Sequence, residues 1–403
     1  MTRFPEKKTI LFVHASADLY GADVSLLHLI QSVDRGSFDP IVLLPEEGPL
    51  VQALRSEGAR VLVLAMPKIA RGVFNVKGLL EFATRSLAVI PPLRRLIAEE
   101  KVALVHSNTM AAFAGALASR LFGVKHLWHV HEIIKHPAVI EQLLPRLVGL
   151  AADVVVANSR ETSRWLRGIV PGIERKTVVI MNGVDSSRFN GNASPEDFRR
   201  EWGIAADETV FGLIGRVNRL KGHQVFVRAA EMVLREFPLA HFFIVGGPPA
   251  GQGRFLTELE QCLERLPRAR TRTRIIPFRR DIERVYAGCD VIVMPSTEPE
   301  SFGLVAAEAM AMKKPVIASR LGGLLDVVAE GETGLMVRPG DASDLARAML
   351  ALARDRDRRE ELGERGLARQ RAVFSFGRFR DQVADLYRQI LTPSPVPGDL
   401  LRG

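Results

Sequence analysis

Residues 208–233 read ETVFGLIGRVNRLKGHQVFVRAAEMV. The run TVFGLIG is apolar at nearly every position, which suits a strand buried on both faces; HQVFVRAAEMV then changes to the longer period of a helix. Between them lie Gly215, Arg216, four further residues, Lys221 and Gly222. A buried strand that turns directly into a helix is one unit of a parallel sheet covered by helices. The same unit recurs in both directions. Towards the N-terminus run TILFVHA, PIVLLP, RVLVLA, VALVHS, HLWHVH, DVVVANS and TVVIMN; towards the C-terminus run HFFIVGG, RIIPF, DVIVMPS, KPVIAS and GLMVRP. The polar stretch 190–197 separates the two series, so the chain is expected to be α/β, with two doubly wound parallel-sheet domains of Rossmann-like type.

The expected division is an N-terminal domain over 1–189, a linker over 190–207 and a second domain over 208–372. A C-terminal helix over 373–391 is expected to return to the first domain, and the Pro-rich tail 392–403 to be disordered. Residues 342–369 read as one helical stretch. In open parallel sheets ligands bind at the carboxyl ends of the strands. The turn after TVFGLIG is therefore placed to meet an anion: its glycines admit close backbone approach, and Arg216 and Lys221 supply charge. The rival reading is a basic surface turn.

A second segment raises a question of charge. Residues 294–311 read MPSTEPESFGLVAAEAMA, with Glu300 in a loop and Glu308 inside an apolar helix. A carboxylate on such a helix needs a partner, because burying it alone is costly or forces it neutral. An arginine and a ligand are both open as that partner. At helical rise the two acids would lie roughly 12 Å apart, the length scale of a nucleoside diphosphate. The amides of Phe302, Gly303 and Leu304 open the helix between them and suit an anion.

Composition narrows the partners. The chain has 403 residues, 47% hydrophobic and 25% charged, with 55 Lys and Arg against 46 Asp and Glu. The resulting charge of +9 favours anionic partners. Three Trp and three Tyr offer few stacking platforms, and no helix-turn-helix, zinc-finger or RNA-recognition signature is present, so nucleic acid is not an expected partner. Cys262 and Cys289 alone make neither a disulfide framework nor a metal cluster. The start MTRFPEKKTILFVHASA imitates a secretory signal, but its apolar core is short and runs into His14, so it reads as a first strand. No run of about 18 uncharged apolar residues suggests a membrane span. The segments PPLRRLIAEEK and EQLLPRLVGL leave open a peripheral contact with an acidic membrane; the alternative is a solvated helix face. The oligomeric state is not set by the sequence.

Gly215-Arg216-x4-Lys221 and Glu300-x7-Glu308 together resemble the paired motifs of the large family of retaining glycosyltransferases with the GT-B fold that includes sucrose synthase and bacterial mannosyl- and glucosyltransferases, glycosyltransferase family 4. The resemblance covers nearly the whole chain. Tyr20-Gly21-Ala22-Asp23 is similar to the family's glycine-rich first loop, His131-Glu132 to its His-Asp or His-Glu, and Asn182-Gly183-Val184-Asp185 to the segment before its linker. Arg280-Asp281-Ile282 resembles its nucleotide-side loop, and GGLLDVVAEGETGLMV the segment after the acidic motif.

The resemblance implies a cytoplasmic hexosyltransferase, associated at most peripherally with the inner face of the membrane. It would use a nucleotide diphosphate sugar with no metal and no prosthetic group. The acceptor would be a glycan or a lipid-linked molecule in cell-envelope or exopolysaccharide assembly. In this scheme Arg216 and Lys221 hold the diphosphate, Glu308 the ribose, Glu300 the transferred sugar, and His131 the sugar near its reacting centre. Gly215, Asp281, Ile282 and the amides of Phe302, Gly303 and Leu304 complete the donor contacts, and Gly21 lets the first domain's backbone come close to the donor phosphate or the acceptor. Acceptor choice is assigned to two loops of the first domain, 67–87 and 133–144. Asp23 alternatively caps a helix, and Lys221, as an exposed turn residue, is expected to add little to stability. Asp355-x-Asp357 imitates a metal-binding pair but reads as a solvated helix face. The sequence departs from the family where Gly246-Gly247-Pro248-Pro249 stands for Gly-Asp-Gly-Pro, which removes a polar contact, and where Glu300-Ser301-Phe302-Gly303 stands for Glu-Pro-Phe-Gly. Two rivals are a sugar-nucleotide 2-epimerase, which needs no acceptor, and a non-catalytic sugar-nucleotide-binding scaffold.

Overall fold

The computed structural model describes residues 6–19, 21–67, 76–185, 187–249 and 251–392. The chain forms two compact units: residues up to Gly183 together with those from Phe376 onward, and Val184–Ser375.

The first unit holds a seven-stranded sheet of β1 (Lys8–Val13), β2 (Phe38–Leu44), β3 (Arg60–Val63), β4 (Val102–Asn108), β5 (Lys125–Val130), β6 (Val154–Ala157) and β7 (Thr177–Val179). Its order is β3-β2-β1-β4-β5-β6-β7, and every pairing is parallel. Successive strand residues feed opposite faces. Ile10, Phe12, Val42 and Leu104 pack beneath helices Gly21–Ser32 and Pro49–Ser56, whereas Leu11, Val13, Ile41 and Val105 pack beneath Val76–Glu99 and Phe113–Phe122. With both faces covered, the strands read as the continuous apolar runs quoted above.

Helix Phe376–Leu391 belongs to this unit. Phe379, Val383, Leu386, Tyr387 and Ile390 join the core of Ile10, Phe12 and Phe38, and the Tyr387 hydroxyl lies 2.7 Å from His106 Nδ1. Burying five such side chains is worth about 1.5–3 kcal/mol each.

The second unit holds β8 (Thr209–Ile214), β9 (Ala240–Val245), β10 (Thr273–Ile276), β11 (Val291–Met294), β12 (Val316–Ser319) and β13 (Gly334–Val337) in the parallel order β10-β9-β8-β11-β12-β13. Phe211, Leu213, Phe242 and Ile244 pack with helices His223–Glu236 and Ala342–Arg354. Each sheet steps outward one way and then reverses, between β1 and β4 in one unit and between β8 and β11 in the other. Such reversals open a crevice at the strand ends.

Three local readings change. The division falls at Gly183, and the stretch read as a linker contains helix Pro195–Glu201, whose Phe198 is fully buried. Helix 342–369 is two helices, Ala342–Arg354 and Arg356–Val373; Asp355 breaks it by accepting the Arg358 amide at 2.8 Å, which makes it a cap. The proposed acceptor segments are partly helical, with Val76–Glu99 and Ala138–Ala151 entering them. Tyr20 and the tail from 393 lie outside the described residues.

Candidate active site

In the second unit the site is built from the loops after β8 and β11, at the reversal. Gly215 closes β8 with φ +142°, a conformation that side chains rarely adopt. Gly222 has φ +70°, and a Cβ there would lie 1.9 Å from the Pro295 carbonyl, so glycine lets the two loops meet. Lys221 Nζ consequently reaches across and donates to both oxygens of Glu300 at 2.9 Å, while Ser296 Oγ donates to Oε1 at 2.6 Å. Lys221 is 17% exposed and Glu300 8%, so Lys221 is half of a largely buried ion pair, contrary to the expectation of an exposed turn residue. Removing one partner would strand the other. Arg216 stands exposed in the same loop.

Glu308 lies on helix Leu304–Ala311, half-buried, and its neighbour is a hydroxyl: Tyr286 Oη donates to Oε2 at 2.6 Å. Burial pushes the Glu308 carboxyl up to about 7, against the Tyr286 hydrogen bond and the charges of Arg188 and Lys221. Gly303 occupies the cap of this helix with no side chain to close it, and Leu304 begins it. Phe302 puts its ring into the core, edge-on to Phe374 at 5.6 Å. Asp281 accepts a bidentate pair of bonds from Arg279 at 2.9 and 2.8 Å, and this pairing holds its carboxyl below the usual value. Its side chain is thus committed to an ion pair; Ile282 opens the following helix, Ile282–Gly288.

In the first unit the corresponding reversal gathers histidines, an asparagine and two acidic side chains. His14 follows β1, Asn108 ends β4, and His131 and Glu132 follow β5. His131 Nε2 lies 2.9 Å from Asn108 Oδ1, and its ring centroid is 4.0 Å from that of His129. Burial, with the neighbouring His129 and His14, holds the His131 imidazole well below its usual value. Glu132 accepts the amides of Met110 at 3.2 Å and His131 at 3.1 Å, yet burial pushes its carboxyl up to about 7. Asp23 sits inside the first turn of helix Gly21–Ser32 and binds His14 Nε2 at 2.7 Å, so it is not that helix's cap. Gly21 opens this helix, exposed, with no atom within 4 Å of where a Cβ would stand.

The structure thus groups Gly215, Arg216, Lys221 and Glu300 at one reversal, with Phe302 and Gly303 leading into the helix that carries Leu304 and Glu308, and places Gly21 and His131 in the other unit. Sequence reading missed Ser296, Tyr286, Asn108 and the His14–Asp23 pair. Of these, only Ser296 carried a local signal, four residues before Glu300. Among the described residues, no three His, Cys, Asp or Glu side chains gather as metal ligands.

Two doubly wound units, one with a paired cation and acid at its reversal, define a protein of GT-B fold. Residues 20–188 match the family model Glycosyltransferase Family 4 and residues 208–355 the model Glycosyl transferases group 1. The chain is 33% identical over 250 residues to the D-inositol 3-phosphate glycosyltransferase of Corynebacterium urealyticum, which covers 60% of this chain and 58% of that protein, less than two thirds of its length. It is 31% identical to the alpha-maltose-1-phosphate synthase of Mycolicibacterium smegmatis over 72% of this chain and 80% of that one. The crystal structure of Anabaena HepE in complex with UDP-glucose superposes with a TM-score of 0.82 at 25% identity, covering 94% and 99% of the two chains. The chain belongs to this glycosyltransferase family.

Proposed function

We propose that the protein is a retaining, metal-independent hexosyltransferase that moves a sugar from a nucleoside diphosphate donor to a glycan or lipid-linked acceptor in cell-envelope or exopolysaccharide assembly. The observation that carries this reading is the Lys221–Glu300–Ser296 cluster beside Gly215 and Arg216 at the β8/β11 reversal. A diphosphate entering there meets Arg216 and draws Lys221 from Glu300, so the charge that develops on the leaving group is met by fixed cations without a metal. Glu300, released from Lys221, accepts hydroxyls of the sugar. Glu308, with one oxygen held by Tyr286, offers the other to the ribose. Asp281 and Ile282 contribute through the backbone of their loop, because the Asp281 carboxylate is already paired. No carboxylate is assigned as a covalent nucleophile; the departing phosphate takes the acceptor proton on the face it leaves, which preserves the anomeric configuration.

UDP is the first nucleotide to try, because HepE has been crystallised with UDP-glucose. The test is calorimetry against UDP-, GDP-, ADP- and dTDP-sugars with and without EDTA, on the parent and Glu308→Ala. Binding of one nucleotide class that survives EDTA and is lost in the variant is expected. Binding to none would favour the scaffold reading, and a β-configured product from an α-configured donor would overturn retention.

The same reading places the protein in the cytoplasm, in peripheral contact with an acidic membrane face. No helix of the described residues is long and apolar enough to cross a membrane. Helix Ala138–Ala151 exposes Val139 (62%), Leu143 (49%) and Leu150 (75%) along one stripe with Arg146. Apolar side chains beside a cation suit the headgroup region. Sedimentation with phosphatidylglycerol vesicles but not phosphatidylcholine vesicles, weakened by Leu143→Glu, is expected; equal sedimentation of parent and variant would remove this part of the reading.

A further inference from the structure

Asn108 makes more contacts at the first unit's reversal than any role so far given to it requires. Its carboxamide oxygen lies 2.9 Å from His131 Nε2, its amide nitrogen 3.2 Å from the Ala22 carbonyl, and its own backbone carbonyl 2.6 Å from His14 Nδ1. The side chain is fully buried at the end of β4. A carbonyl can only accept, so the Ala22 oxygen requires the NH2 group of Asn108 on its side. The amide nitrogen also lies 3.2 Å from His14 Nδ1, but that ring atom gives its proton to the closer Asn108 carbonyl, so this contact is not a hydrogen bond and the Ala22 carbonyl alone sets the orientation. The carboxamide oxygen must therefore face His131, and His131 Nε2 must carry the proton that it receives. In a neutral imidazole the other nitrogen then holds a lone pair. That atom, His131 Nδ1, is buried and has no partner among the described residues.

We propose that Asn108 is the positioning residue that fixes His131 as its Nε2–H tautomer, so that Nδ1 is offered as a hydrogen-bond acceptor to a hydroxyl of the transferred sugar. This rests on the glycosyltransferase reading above and adds a polarity to it. In this state His131 takes a hydrogen bond and gives none on the ligand side, so it orients a hydroxyl and does not protonate the leaving group. The neighbouring His129 ring is tilted by 33° against His131 and neither of its nitrogens makes a hydrogen bond among the described residues, so it does not take the Nε2 proton. Oε2 of the neighbouring Glu132 accepts two backbone amides. Among the contacts described, the tautomer is set by one amide orientation, which the Ala22 carbonyl in turn sets.

The test uses the full chain labelled with 15N-histidine. Two-bond couplings to the ring carbon protons report which nitrogen of His131 is protonated, with His131→Gln giving the assignment. A single Nε2–H species at pH 7.5 is expected; an Nδ1–H species or an imidazolium would overturn the proposal. Asn108→Ala is expected to lose the single tautomer and to slow release of UDP from UDP-glucose by about fivefold to tenfold, the worth of one neutral hydrogen bond, with affinity for UDP itself unchanged. Asn108→Asp keeps the shape and the acceptor but adds a charge. It is expected to hold the Nε2 proton, convert His131 to the imidazolium near neutral pH, and recover turnover as pH is raised. An unchanged His131 spectrum and unchanged turnover in Asn108→Ala would overturn the role of Asn108. Should the parent turn over no sugar nucleotide at all, the functional reading falls by itself, because the tautomer measurement needs no substrate.

Discussion

The two units share a topology and differ in the chemistry at its reversal. In the second, the loops after β8 and β11 bring together a lysine, an arginine and a carboxylate. In the first, the ends of β1, β4 and β5 bring together an asparagine and buried histidines, of which His106, His129 and His131 are held well below the usual imidazole value by burial. A parallel sheet creates the crevice in both, and the loops decide whether it offers an exposed arginine with a lysine–glutamate pair or buried imidazole and amide groups. Charge suits a diphosphate. Neutral imidazole and amide suit hydroxyls.

The contrast is most exposed to Lys221→Ala. UDP release from a sugar nucleotide should fall by about 10²–10³-fold, as for loss of one preorganised donor to a developing charge. Stability should fall as well, by about 1–3 kcal/mol in urea unfolding, because Glu300 is left buried and unpaired. Lys221→Met with Glu300→Gln should recover stability and not turnover; recovery of both would show the pair to be structural only.

Glu308 sharpens the contrast through pH. Since burial raises its carboxyl to about 7, UDP should bind about tenfold more tightly at pH 8 than at pH 6, as the carboxylate becomes available to the ribose. Glu308→Gln should flatten that slope. Stability has the opposite sign: the folded carboxyls of Glu308 and Glu132 keep protons that the unfolded chain has lost, so their contribution is greatest below about 4.5 and declines as pH rises to about 7. Glu132→Gln should remove part of this decline from the stability curve and leave UDP binding unchanged; a change in UDP affinity would show the first unit to be part of the nucleotide site.

Two smaller effects test each side separately. Tyr286→Phe frees Glu308 Oε2, and UDP affinity should drop by about threefold to fivefold, read by calorimetry. Tyr387→Phe removes the hydroxyl bonded to His106 and should cost about 1 kcal/mol. Hydrogen exchange should report that loss in the first unit's strands and leave β8–β13 unchanged.

The fold was legible because strands covered on both faces leave uninterrupted apolar runs, and every run quoted from the sequence became a strand of one sheet or the other. The turn at 215–222 was legible because glycine and charge act locally. The Tyr286–Glu308 bond, the Asn108–His131 bond and the His14–Asp23 pair were not, since each joins different elements and nothing in a single chain marks which side chains will face each other. The linker reading failed for a different reason. Ser194-Pro195-Glu196-Asp197 carries a helix start, with proline at the first position and acids in the first turn, which the polar composition concealed. Asp355 likewise reads as a cap once its neighbours are seen to be helical on both sides.

The membership of helix Phe376–Leu391 in the first unit has a consequence for the order of events during synthesis. The second unit is one continuous segment, and all of its core has emerged once Ser375 has left the ribosome. The first unit begins earlier and finishes later: its core has an open slot until Phe379, Val383, Tyr387 and Ile390 arrive. The part of the chain made first is therefore the last to be completed. For as long as the second unit takes to be translated, the first presents an apolar groove to the cell, and that interval is when it most needs protection from aggregation.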